Sequence, residues 1–156
     1  MKKILVKSVY DAFDYVMDHY YPAGLEEYAP LRDSYAVISI QDTHTEGFGF
    51  VFRENIFCKA VLTLYFDDIE SPVEGAALFS EEQAESIIGF IEGCKDAETL
   101  LIHCYGGESR SRAVGAFAAE MLGGDKSPYF DTGHPNMHVY ETLKKVYQRR
   151  VRAAGN

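Results

Sequence analysis

Residues 99–114 read TLLIHCYGGESRSRAV, and this stretch decides the fold. An apolar run, TLLIHC, ends on His103 and Cys104. Gly106 and Gly107 follow, then Ser109, Arg110 and Ser111 open an alanine-rich segment. The apolar run reads as a short buried strand, and SRAVGAFAAEML as a helix of small residues suited to close packing on a sheet. A strand therefore passes to a helix through a short loop. Backbone N–H groups of such a loop can turn inward as a nest for a tetrahedral anion, and the helix adds its positive N-terminal end. Gly106 and Gly107 are expected to relieve the steric limits on the dihedrals this needs. The Arg110 fork suits two oxygens of one anion. The same positive field favours Cys104 in its nucleophilic thiolate form. Tyr105, Gly106, Gly107, Glu108, Ser109 and Arg110 would thus form an anion cradle with a nucleophile at its floor. A buried structural cysteine needs none of this company.

Outward from the loop, β-type and helical patterns alternate. Lys3–Val9 reads as a strand, and Phe13, Val16, Met17 and Tyr20 recur at helical spacing. PAGLEEYAPLRDS reads as a loop or short helical turn, Tyr35–Ile40 as a β-branched strand, QDTHTEGFGFVFREN as a glycine-bearing flap, and Phe57–Phe66 as a strand ending at Asp67 and Asp68. Ser80 is placed to cap a helix with acidic residues in its first turn. GGDKSPYFDTG breaks the helix after the cysteine loop and reads as loop. A closing helix begins around HPNMHVYETL, with Pro135 suited to its first turn. The pattern predicts a three-layer α/β/α sandwich on a mostly parallel sheet, one domain over residues 1–156. In such sheets ligands sit beyond the carboxyl ends of the strands, where Asp68 and Cys104 fall.

The 156 residues are 47% hydrophobic and 25% charged, with a formal net charge of -9. That balance argues against nucleic acid and anionic membrane surfaces as partners, though not against one anion in a local positive pocket. The cysteines Cys58, Cys94 and Cys104 are too scattered for a disulfide framework and include no CxxC pair, which fits a reducing, cytoplasmic setting. Cys58 and Cys94 read as buried small hydrophobes. The start MKKILVKSVYDAF is too short in apolar run for a signal peptide. His134 and His138 have ligand-like spacing but no third partner in sequence, so no metal site is expected.

HCYGGESRS resembles the His-Cys-x5-Arg-Ser signature of the cysteine-based protein tyrosine phosphatases, especially their dual-specificity branch. FDDI, after a strand, resembles a small bacterial branch of predicted tyrosine phosphatases. The family usually has Ala where Gly106 stands. Rhodanese-type sulfurtransferases have a loop one residue shorter, and low-molecular-weight phosphatases and arsenate reductases carry theirs near the N-terminus. The resemblance implies a phosphotyrosine-phosphatase fold and hydrolysis of a phosphomonoester through a cysteinyl-phosphate, with no metal or organic cofactor. The substrate would be a phosphorylated protein or a small phosphomonoester. It implies Cys104 as nucleophile, Arg110 as clamp, and Ser111 as the hydroxyl that assists the sulfur. Asp68 would be the general acid, with Asp67 as its competitor. His103 would support the loop, and Asn136 would brace it by hydrogen bonding. Glu108 would point outward and make the rim acidic, against highly phosphorylated inositol substrates. Substrate recognition would fall in EEYAPLRDSY and DTHTEGFGFVFREN. A phosphate-binding module without turnover and another thiol enzyme remain as alternatives.

Overall fold

The computed structural model describes residues 1, 3–22, 33–44 and 51–155. The chain runs β1 (Lys3–Ser8), α1 (Val9–Tyr20), β2 (Tyr35–Gln41), β3 (Cys58–Tyr65), α2 (Glu81–Gly93), β4 (Thr99–Cys104), α3 (Arg110–Met121), α4 (Ser127–Asp131) and α5 (Met137–Ala154). Most of the two segments expected to recognise substrate lies outside the described residues.

The strands form one parallel sheet in the order β1-β4-β2-β3. β4 and β2 are interior and buried along their whole length, which is why they read as unbroken apolar runs rather than alternating ones. In β4, Ile102 pairs with Val6 of β1 on one side and Ile38 of β2 on the other. Cys104, the last residue of β4, therefore stands mid-edge at the carboxyl end of the sheet.

Helices cover both faces, as the alternation predicts. α2, α3 and α5 pack together over one face, burying Ile38, Ile40, Ile87, Ile102, Phe117 and Leu143. α1 lies on the other, where Ala12, Val16 and Tyr20 meet Tyr35, Val37, Phe57 and Leu101. Each Val, Leu, Ile or Phe among them stabilises the fold by about 1.5–3 kcal/mol when fully buried. α3 lies close enough that a Cβ on Gly115 would fall 2.5 Å from Val6 Cγ2 and 2.8 Å from Tyr129 Cε1. Small residues there are a packing requirement.

Local signals set the ends. Ser8 accepts from Asp11 N to start α1. Ser80 and Gln83 form a reciprocal capping box at α2, satisfying two otherwise orphaned groups. Two expectations are corrected. GGDKSPYFDTG is not all loop, since Ser127–Asp131 forms the short helix α4, with Pro128 in its first turn where a missing N–H costs nothing. Pro135 is not inside the closing helix. It precedes Asn136, whose side chain accepts from Val139 N as the N-cap.

Candidate active site

The turns after β2, β3 and β4 meet in one cleft at the carboxyl edge of the sheet. Its volume is about 460 Å³, with Cys104 at the floor, Tyr105, Gly106, Glu108, Ser109 and Arg110 around it, and Asp42, Asp68 and His134 at the sides. The sequence-predicted cradle residues are thus brought together. Gly107 lies beneath, buried.

The loop is shaped by one glycine, not two. Gly107 has φ +74°, and a Cβ there would fall 2.6 Å from Lys7 C and Ser8 N at the end of β1. Both the left-handed backbone and the close approach demand glycine. Its N–H, so placed, donates to Cys104 Sγ at 3.2 Å. Gly106 has open space around its Cβ position and no left-handed φ. The expectation that both glycines relieve strain is therefore corrected to Gly107 alone. The rest of the loop is tied down at its ends: Val9 N donates to Tyr105 O at 3.1 Å, and Asn136 N to Ser109 O at 3.1 Å.

Ser111 Oγ lies 3.1 Å from Cys104 Sγ. Ser109 stands at the N-cap of α3 but makes no capping bond. Its hydroxyl instead donates to Asp68 Oδ1 at 2.7 Å, so no side chain covers the first turn of α3, and its positive end faces the cleft.

Arg110 is buried, at 5% exposure. Its Nη1 donates to Phe66 O at 2.8 Å and pairs with Asp42 Oδ1 at 2.6 Å. Its Nε is buried without a hydrogen-bond partner among the described residues. A buried guanidinium N–H left unpaired is costly, and an oxyanion in the cleft fits as its acceptor.

The two adjacent aspartates separate cleanly. Asp68 lies exposed on the cleft, and its Oδ1 accepts from Ser109 Oγ and, at 2.9 Å, from Asn136 Nδ2. Asp67 is buried and turned away. It accepts from Thr43 N at 3.2 Å, Thr43 Oγ1 at 2.6 Å and Ala77 N at 2.7 Å, with His44 at 3.6 Å. Desolvation raises its pKa, but the hydrogen bonds from Thr43 and Ala77 and the His44 ring outweigh this and hold it below its ordinary value. Asp67 fastens the turn after β2 to the turn after β3.

Asn136 braces differently from the expectation. Its side chain reaches Asp68 and, at 3.0 Å, Ile69 O, while only its backbone N–H touches the cysteine loop. Glu108 is exposed on the rim, as expected, and its carbonyl accepts from His134 N.

His103 is fully buried beside the nucleophile. Burial pushes its pKa down to about 4, the Arg110 charge adds to this, and the Cys104 carbonyl opposes it. The ring is therefore neutral near pH 7. A carbonyl only accepts, so Nδ1–H donates to Cys104 O at 3.2 Å, and Nε2 accepts from Ser39 Oγ at 2.7 Å. Gln41 Nε2 in turn donates to Ser39 Oγ at 2.9 Å. Sequence reasoning missed Ser39, Gln41 and Asp42. Their signal was polar residues closing an otherwise apolar strand, which matters once β2 is known to lie beside β4.

Among the described residues no cluster of three or more His, Cys, Asp or Glu is placed to hold a metal ion. His138 Nε2 instead lies 2.9 Å from Phe79 O. Cys58 and Cys94 are buried. No helix among the described residues is long and apolar enough to cross a membrane.

No protein-family profile matches the chain, and no curated protein sequence does. Solved structures match its fold. The human tyrosine phosphatase-like serine/threonine/tyrosine-interacting protein superposes with a TM-score of 0.52 at 18% identity, over 76% of this chain and 79% of that one. Tk-PTP in its active form gives 0.51 at 17% identity, over 96% and 93%. PTPMT1 in complex with PI(5)P gives 0.52 at 13% identity, over 97% and 94%. The chain has the α/β fold of the cysteine-based, dual-specificity-like phosphatases.

Proposed function

We propose that the chain is a phosphomonoester hydrolase of the protein tyrosine or dual-specificity type, working through Cys104. One observation carries the reading: a cysteine sulfur receiving the Gly107 N–H and lying beside the Ser111 hydroxyl, under an uncapped helix end and a buried arginine whose Nε awaits an acceptor. These donors match a thiolate below and a tetrahedral dianion above.

Phosphate enters with its non-bridging oxygens on the loop amides and Arg110. Cys104 attacks phosphorus opposite the ester oxygen. The P–O bond breaks as the S–P bond forms, and charge gathers on the equatorial oxygens that the cradle already faces. Asp68 gives its proton to the departing oxygen. It then takes one from water, whose oxygen attacks phosphorus and returns the sulfur as thiolate, with Ser111 donating to it. Ser109 and Asn136 hold the Asp68 carboxylate toward the cleft, and His103 fixes the Cys104 carbonyl from behind. As the dianion arrives, Asp42 must yield Arg110, so the ion pair keeps the guanidinium placed while the cleft is empty.

Hydrolysis of p-nitrophenyl phosphate in the presence of chelator tests the reading. The wild type turns it over, and Cys104→Ser abolishes the rate. Retained activity in Cys104→Ser removes the mechanism. Phosphate binding with no turnover in the wild type would instead make the chain a phospho-ligand binding module.

A further inference from the structure

Helix α1 buries Val9, Ala12, Val16 and Tyr20 and leaves two adjoining rows outward. Tyr10, Phe13 and Met17, at i, i+3 and i+7, remain 55%, 39% and 40% exposed. Asp11, Asp14 and Asp18 repeat the same spacing one step around the helix, and all are exposed. The helix begins at the cleft: Val9 N is bonded to Tyr105 O, and the Tyr10 ring meets the Tyr105 ring edge-on at 6.3 Å. Tyr105 lines the phosphate cleft and is 54% exposed. The rows therefore start at the mouth of the site and lead away from it for roughly 12 Å at 1.5 Å per residue.

Along the apolar row lies a second cleft of about 320 Å³, between α1 and residues 51–55, lined by Phe13, Val16, Val51 and Phe52 among others. It is large enough for an apolar side chain. Carboxylates dominate the approach to the phosphate along α1, with Arg53 as the cation in the wall of the second cleft. Asp42, Asp68 and Glu108 surround the phosphate cleft, and the three α1 aspartates continue that field. Lys7 borders the acidic row, and the Lys7 and Lys3 ammonium groups sit 5.3 Å and 5.9 Å over the Tyr15 ring. An acidic or polyanionic substrate lying along α1 would meet repulsion from these carboxylates, whereas positive charge beside the phosphate would offset it.

We infer that the outer face of α1 docks the chain around the phosphorylated residue, and that this chain is a basic and apolar peptide segment of a phosphoprotein. Lysine or arginine within about five residues of the phosphate reaches the Asp14 and Asp18 row, given roughly 3.3–3.6 Å per extended residue. An apolar neighbour meets Phe13 and Met17. The inference rests on the phosphatase reading only for the place of the phosphate.

Two phosphotyrosyl peptides, identical except for Lys/Arg or Glu flanks, provide the test. The basic peptide is expected to have a kcat/KM at least about tenfold higher at low ionic strength, contracting at about 0.5 M salt. Asp14→Lys combined with Asp18→Lys brings the ratio close to one and leaves the p-nitrophenyl phosphate rate unchanged. Met17→Ser lowers kcat/KM for both peptides and spares that small substrate. Equal kcat/KM for the two peptides in the wild type overturns the inference, as does a preference that survives the double charge reversal. Should p-nitrophenyl phosphate show no turnover at all, the phosphatase reading has failed. Fluorescence anisotropy with the same labelled peptides then decides the docking surface. Tighter, salt-sensitive binding of the basic peptide that the double variant loses supports it, and equal binding overturns it.

Discussion

Two neighbouring carboxylates at the end of β3 have opposite prospects. Asp67 is buried under donors that fix its charge, and Asp68 stands exposed at the cleft. Asp68→Asn is expected to lower kcat by about 100-fold on phenyl phosphate, in the range ascribed to a general acid. The loss on p-nitrophenyl phosphate is smaller, because nitrophenolate departs without help. Rates across a series of aryl phosphates check this: a variant that loses activity equally on all leaving groups refutes the assignment. Asp67→Asn leaves the leaving-group dependence as in the wild type. It instead lowers unfolding stability by about 1–3 kcal/mol, since Thr43 and Ala77 lose a charged acceptor, and denaturant melts read this directly. Choosing Asp68 over Asp67 needed family resemblance at the sequence level, because two aspartates after a strand look alike until their partners are known. Asp42 was not legible at all. Its partner, Arg110, lies on a helix far along the chain, and only the pairing of β2 with β4 brings the two side chains to 2.6 Å.

The cysteine loop behaves as part of two elements: β4 launches it and the end of β1 supports it from below. This support separates the two glycines. Gly107→Ala forces a Cβ to 2.6 Å from the backbone of Lys7 and Ser8 and strains a positive φ, so a stability loss of about 1–3 kcal/mol and a collapse of activity are expected. Gly106→Ala meets open space and should stay within about 0.5 kcal/mol of the wild type. Thermal melts of the two variants, with p-nitrophenyl phosphate rates alongside, check the asymmetry, and equal damage at both positions refutes it. The turn after β2 makes a second demand on the site. Asp42→Asn removes the carboxylate that neutralises buried Arg110 and should lower the Tm of the empty protein. Phosphate or sulfate should then raise the Tm further in the variant than in the wild type, because the anion no longer displaces a resident carboxylate. The elements themselves were legible because each carries its own signal: the Ser80 and Gln83 capping box, the buried stripe of α1, the unbroken apolar runs of β2 and β4. The short helix α4 was not, because a single turn opened by Lys126-Ser127-Pro128 has the composition of a loop and is settled by packing. Strand order was likewise invisible, since the chain visits β2 and β3 before inserting β4 between β1 and β2.

Across the whole molecule, burial of titratable groups sets the pH range of stability, and one of them, His103, lies beside Cys104. His103 is held neutral to about pH 4 by burial, with the Arg110 charge adding to that effect, whereas in an unfolded chain it protonates near 6.5. Between those values the unfolded state binds a proton that the fold rejects, so stability falls as pH drops from about 6.5 toward 4. Asp67, depressed from its ordinary 3.8, adds a separate loss only below that value, once its carboxylate is protonated away from Thr43 and Ala77. On the alkaline side the sign is set by acids kept neutral. Burial pushes the Cys58 and Cys94 thiols from 9.0 up to about 11, and burial raises the Tyr20 and Tyr35 phenols beyond their ordinary 10.0. Their contribution is complete below about 9 and drains away as pH rises. Urea unfolding across pH should therefore give a plateau from about 6.5 to 9 with a sloping shoulder on each side. His103→Gln removes the part of the acid shoulder between 6.5 and 4 and leaves the fall below 3.8. Cys58→Ala with Cys94→Ala flattens the first part of the alkaline one. A wild-type stability that stays level from pH 6.5 to 4 would mean that His103 is free to charge. The directed chain from Gln41 through Ser39 and His103 to the Cys104 carbonyl would then break, because a protonated ring has no lone pair to accept the Ser39 hydroxyl.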